Sequence, residues 1–203
     1  MFLLTMGLFG FMMNRNAADN QAVFLVSVAL FILIAFVSVL LHELGHALTG
    51  RRFTNSPVEV VLESFGGHAR FLSPRFTKRQ YILMTAAGPL MNFVLAGIFL
   101  SIHFFVIPNI DMVPNSLLAR FIVIAGIINI FWGLFNLVPV FPLDGGHIMH
   151  SFIKNPYKAH RASFVIGLVV IGLGIMRGEL IAVMFFALMA FQNYQIMSAM
   201  NRR

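Results

Sequence analysis

The sequence contains no cysteine. A disulfide framework, a thiolate nucleophile and a thiolate metal site are therefore all excluded. Charge is scarce too: Asp, Glu, Lys and Arg make up 10% of 203 residues, against 59% hydrophobic. A water-soluble domain carries about 25% charged residues. That deficit, with a mean hydropathy of +0.88, points to a chain solvated by lipid. Acidic side chains number seven against fourteen Lys and Arg, for a formal charge of +7. A basic excess can mark nucleic-acid binding. Here the cations flank long apolar runs, where membrane topology and anionic lipid account for them, so lipid and not nucleic acid is the expected partner. The opening "MFLLTMGLFGFMM" has no basic residue ahead of its apolar core, which argues against a signal peptide.

Long hydrophobic runs supply the architecture. Residues 22–41 give about 30 Å of helix, enough to cross a hydrocarbon core. A second run, 81–107, is expected to be interrupted at Gly88-Pro89. A third, 117–138, runs into Pro139 and Pro142, and a final pair, 162–176 and 180–197, is separated by "RGE". Between the first two runs lies "VEVVLESFGGHARF", residues 58–71, whose β-branched residues and Gly66-Gly67 predict a short β-hairpin. The expected fold is an all-α polytopic membrane protein of about five to six transmembrane helices with that hairpin inserted. It forms one domain over 1–203: an interfacial segment 1–21, a core 22–150 and a C-terminal helical hairpin 151–203. Arg15, Arg120 and Arg177 fall on one side of this arrangement, and the other eleven Lys and Arg on the opposite side. The positive-inside rule makes the richer side cytoplasmic. "HELGH" and "PLDGG" are then expected at cytoplasmic helix ends.

Ionisable groups are costly inside such a chain unless they face protein or water and have a task. "HELGH" places three of them together. His42 and His46 are four residues apart, so a helix stacks them on one face, and Glu43 projects beside them. Two imidazoles at this spacing can bind one zinc ion, with the glutamate as general base. A catalytic zinc takes a third protein ligand and keeps one position open. Besides Glu43, Asp144 in "NLVPVFPLDGG" (136–146) is the one acidic residue within an apolar stretch. The prolines stop the preceding helix, and Gly145-Gly146 is expected to turn the backbone so that Asp144 points back toward the bundle. The other reading of Asp144 is a turn residue or helix N-cap. His147 and His150 follow closely as interfacial groups. His103 lies near the opposite face, and His68 and His160 are expected in solvated loops.

These stretches resemble the signature motifs of the site-2 protease family of intramembrane zinc metalloproteases. "FGGHARF" (65–71) is similar to the glycine-containing hairpin of that family, and "AAGPLMNF" (86–93) to its Gly-Pro-x-x-Asn segment. The resemblance covers about residues 22–150, in the family's order, with no PDZ-like or CBS-like regulatory domain. It implies one Zn2+ per chain held by His42, His46 and Asp144, and Glu43 as base and then acid. It also implies that Asn136 positions the substrate or stabilises an oxyanion. Phe65, Gly66, Gly67 and Asn92 are the implied substrate contacts, the hairpin edge accepting an unwound segment as an added strand. The substrate would be a transmembrane segment of another protein, and no particular oligomer is implied. Against these stand blander readings: interhelical hydrogen bonding for Asn136, packing of a helix broken at Pro89 for Asn92, and a plain surface hairpin. At the level of function the alternatives are a zinc transporter, or a scaffold without proteolytic activity.

Overall fold

A computed structural model describes residues 21–54, 58–63, 66–71, 75–110 and 117–202. The expected interfacial segment thus lies outside the described residues except at its last position, and so does Phe65. Helix α1 spans Gln21–Thr54. The hairpin follows as β1 (Val58–Glu63) and β2 (Gly66–Phe71). Helix α2 covers Lys78–Ser101, and π-helical and 3-10 turns extend it over Ile102–Val106 and Ile107–Asn109. Then come α3 (Leu117–Asn136), α4 (Asp144–Phe152), α5 (Pro156–Arg177) and α6 (Leu180–Met200). Among the described residues, five helical segments are long and apolar enough to cross a membrane. Large apolar side chains such as Phe105, Phe131, Met176 and Leu180 point outward from them. That is the arrangement of a protein whose solvent is lipid. The protein is an integral membrane protein of the expected all-α class.

Three boundaries differ from the sequence reading. The apolar run of α1 ends near residue 41, yet the helix continues to Thr54 and finishes with Arg51 and Arg52 in its last turn. Hydropathy reports lipid solvation, whereas "HELGHAL" consists mostly of residues a helix accepts, and the terminal arginines complement the carbonyl end of the dipole. "HELGH" therefore lies within the helix and not at its end. Pro89 does not break α2, which runs through it. That helix starts with a capping box: Thr77 Oγ1 accepts from Gln80 N at 3.3 Å, and Gln80 Oε1 accepts from Thr77 N at 2.9 Å. Helix α5 begins at Pro156, earlier than the apolar run suggests. Asn155 Oδ1 accepts from Lys158 N at 3.1 Å, and proline at the first helical position suits a start.

The chain divides into two compact units, Met1–Gly133 and Leu134–Arg203. In the first, α1 packs along α2 and the hairpin lies against α1. The strands are antiparallel, with Val58 opposite Phe71 and Glu63 opposite Gly66, as the sequence predicts. In the second, α5 packs on α6, and Val140, Leu143 and Phe186 form a core with Phe135, Ile166 and Val170. The turn between these helices depends on Gly178, whose φ of 72° is the left-handed conformation that suits glycine at a helix C-cap.

Candidate metal centre

In the first unit, His42, Glu43 and His46 are all buried on α1. The imidazole rings meet edge to face, with centroids 4.7 Å apart and planes at 83°. Their Nε2 atoms are 3.1 Å apart. Each Nδ1 is engaged elsewhere: that of His46 with Met84 O at 2.9 Å, that of His42 with Asn92 Oδ1 at 2.6 Å. Carbonyl oxygens only accept, so each Nδ1 carries the hydrogen, and each Nε2 is left with a lone pair. Two lone pairs at this separation repel unless a cation sits between them. Imidazole nitrogens about 2.05 Å from a tetrahedral zinc lie about 3.3 Å from each other. The observed separation fits that geometry.

Two glycines make the room. A Cβ on Gly45 would stand 2.7 Å from Ala87 O, so its absence lets α1 and α2 approach closely. A Cβ on Gly88 would lie 2.8 Å from His42 Nε2 and closer still to His46 Nε2. The space around the two nitrogens is therefore open because position 88 has no side chain. This assigns the "GP" of "AAGPLMNF" a local purpose. Asn92, from the same segment, is fully buried, and its amide is engaged by His42, Ser38 and Asn129. It acts on the imidazole in this structure. Gly66 and Gly67 sit in β2, opposite Glu63 and Leu62.

In the second unit, Asn136 ends α3 and is half-buried, and the half-buried Asp144 opens α4. The N-cap position belongs to Leu143, so Asp144 stands in the first turn of α4. Gly145 and Gly146 do not make the expected sharp turn; they are helical residues. A Cβ on Gly145 would strike Leu137 O, and one on Gly146 would strike Phe141 N. These glycines let the first turn of α4 press against the backbone of the loop before it.

That loop is fastened by side chains the sequence reading did not single out. Asn193 Nδ2 donates to Phe141 O at 2.7 Å, and Phe141 N donates to Ser163 Oγ at 3.1 Å. Asn193 Oδ1 accepts from His160 Nδ1 at 2.8 Å. His160, expected in a solvated loop, is buried, because α5 starts early enough to carry it into the core. His150 stacks on Phe141 with centroids 5.4 Å apart and pairs with Ser163 Oγ at 3.1 Å. Burial lowers its pKa, and His160 and His147 lower it further by charge repulsion. The fastening network has a sequence signal in retrospect: Ser163 and Asn193 are polar residues within apolar spans.

Comparisons with known proteins agree with this geometry. The sequence matches Peptidase family M50 over residues 30–117 and 102–176. It is 33% identical over 128 residues to a zinc metalloprotease of Methanocaldococcus jannaschii, covering 63% of this chain and 35% of that protein. It is 34% identical over 121 residues to a putative zinc metalloprotease of Synechocystis, covering 60% and 30%. A putative zinc metalloprotease of Mycobacterium tuberculosis is 31% identical over 149 residues, covering 68% and 36%. The match spans about a third of the length of these relatives. Among solved structures, the site-2 protease from Methanocaldococcus jannaschii superposes with a TM-score of 0.64 at 25% identity, covering 96% of this chain and 86% of that one. Zinc is the cofactor that both the relatives and the histidine donors fit. The paired imidazoles, the glycine-lined space around them and the spanning helices thus have a common explanation: this chain belongs to Peptidase family M50, the family of the site-2 protease zinc metalloproteases.

Proposed function

We propose that this protein is an intramembrane zinc endopeptidase that cleaves transmembrane segments of other membrane proteins. The observation that carries the reading is the buried pair of Nε2 atoms 3.1 Å apart, held in a helix long and apolar enough to span a membrane. His42 and His46 would hold the ion, with Asp144 as third ligand. Asp144 is the carboxylate that the family's second motif supplies, in the first turn of α4. Bound zinc supplies a Lewis acid that polarises a carbonyl and brings the pKa of water to about 7. Glu43, adjacent to His42 and buried, takes a proton from the attacking water and returns it to the departing amine. The Asn136 amide N–H donates to the substrate carbonyl as negative charge develops on it. The hairpin binds the unwound segment along a strand edge at Gly66-Gly67, since a peptide bond within a helix is hydrogen-bonded and hidden. The catalytic residues face the cytoplasmic side, on which eleven of the fourteen Lys and Arg fall.

The decisive experiment uses purified protein in liposomes with a single-span test substrate. Wild type and Glu43→Gln bind one zinc each, and only the wild type cleaves. Equal cleavage by the variant removes Glu43 from the mechanism. Zinc flux into the vesicles without cleavage replaces the protease reading with transport.

A further inference from the structure

An imidazole that binds zinc through Nε2, the atom His42 and His46 turn toward each other, must carry its hydrogen on Nδ1. For His46 a main-chain carbonyl, Met84 O, sets this directly. For His42 the partner is Asn92, whose amide can present either an oxygen or an NH2 group. If the NH2 faced the ring, Nδ1 would be the acceptor, the hydrogen would move to Nε2, and the ligand would be lost. Something must hold Asn92 the right way round.

The holding groups are on α1 and α3. Asn92 Nδ2 donates to Asn129 Oδ1 at 2.8 Å and to Ser38 O at 3.3 Å. Asn129 is itself an amide, and its Nδ2 donates to Ala125 O and to Ser38 Oγ, both at 2.9 Å. Ala125 O can only accept, so it sets the orientation of Asn129. Asn129 then presents its oxygen to Asn92, and Asn92 presents its oxygen to His42. Reversing Asn92 would oppose its oxygen to Ser38 O and Asn129 Oδ1, two acceptors facing an acceptor. Asn92 and Asn129 are both 0% exposed, so no bulk water could relieve the mismatch, and an unmet buried group costs more than an ordinary hydrogen bond gains.

We propose that Asn129 is a positioning residue for the metal centre: through Asn92 it fixes the Nδ1–H tautomer of His42 and so keeps Nε2 available to zinc. The proposal rests on the zinc reading of the histidine pair. Asn129 belongs to none of the motifs that carry the family resemblance; it stands seven residues before Asn136 in an apolar helix.

The test reads tautomers and metal affinity separately from cleavage. Metal-free wild type labelled with 15N-histidine, at about pH 8 where imidazole is neutral, shows His42 as the Nδ1–H form. Finding the Nε2–H form there overturns the proposal, and this measurement needs no variant. In Asn129→Leu, which is close in size and apolar, His42 populates both tautomers while His46 keeps the Nδ1–H form. Zinc affinity falls 10- to 100-fold, the range expected on losing an outer-shell partner. Reduced zinc affinity with the His42 tautomer unchanged would show a purely structural role for Asn129 and overturn the relay. Unchanged zinc affinity and an unchanged His42 tautomer in Asn129→Leu refute the relay and leave the zinc reading standing. A wild type that binds no zinc removes the zinc reading itself.

Discussion

Replacing Gly88 with alanine sets two effects of opposite sign against each other. Position 88 lies inside α2, where alanine is favoured over glycine by about 1 kcal/mol. In the metal-free fold that gain is opposed by the crowding of two buried imidazoles, overpacking costing about 1–3 kcal/mol, so the fold should lose at most about 2 kcal/mol. At the metal centre the added methyl is ruinous. Its carbon would lie 2.8 Å from His42 Nε2 and closer to His46 Nε2, whereas non-bonded contacts prefer about 3.5 Å. The His42 ring must retreat by about 0.7 Å and His46 further, while zinc sites tolerate ligand distances within about 0.2 Å. Zinc affinity should fall more than 100-fold, or about 2.7 kcal/mol. Competition with a chelator of known affinity measures this, and thermal melts in EDTA measure the fold. Gly97→Ala is the matched control: it lies on the same helix, and an added Cβ there meets nothing within 4 Å. It should keep wild-type affinity. Near-wild-type zinc binding by Gly88→Ala would refute the reasoning, because the space around the nitrogens would then not be where the ion sits.

Asp144→Asn should lower zinc affinity by more than the ~100-fold upper range of an outer-shell loss, since a neutral amide is a poor ligand; undiminished retention in the same chelator competition means the third donor is another residue. The absence of cysteine makes topology directly testable. With an impermeant maleimide on intact cells, Lys154→Cys should be protected and Glu179→Cys labelled, both positions being exposed, and the reverse pattern inverts the orientation. Burial and the neighbouring His160 and His147 hold the folded pKa of His150 below its ordinary value of 6.5. The unfolded chain then binds more protons in that window, so stability should fall as pH drops below about 6.5. Melting curves of His150→Gln between about pH 7.5 and 5.5 should show a shallower fall than wild type, and equal slopes would exclude His150 as a contributor.

Features written in local periodicity were legible before any coordinates. The i, i+4 histidines, the spans and the hairpin over 58–71 each depend on residues a few positions apart. What went unread involved a choice that local pattern leaves open. Hydropathy placed the end of the first span near 41, but the helix runs to Thr54 because helical propensity outlasts apolarity. Gly145-Gly146 reads equally as a turn or as a close-packed helical start, and only the nearby backbone of Leu137 and Phe141 decides between them. His160 reads as solvated until Asn193, 33 residues away, is found beside it.

By itself the sequence determined that this chain lives in lipid, that two imidazoles share one helical face, and which family's motifs it carries. A deficit of charge and a four-residue spacing have physical consequences in any fold. The tertiary structure decided which imidazole nitrogen faces inward, what keeps that space open, and that Asn129 stands behind Asn92. Those outcomes depend on donors and acceptors 37 to 91 residues apart meeting within hydrogen-bonding distance. No rule of local periodicity can supply such pairings, because they exist only once the helices have packed.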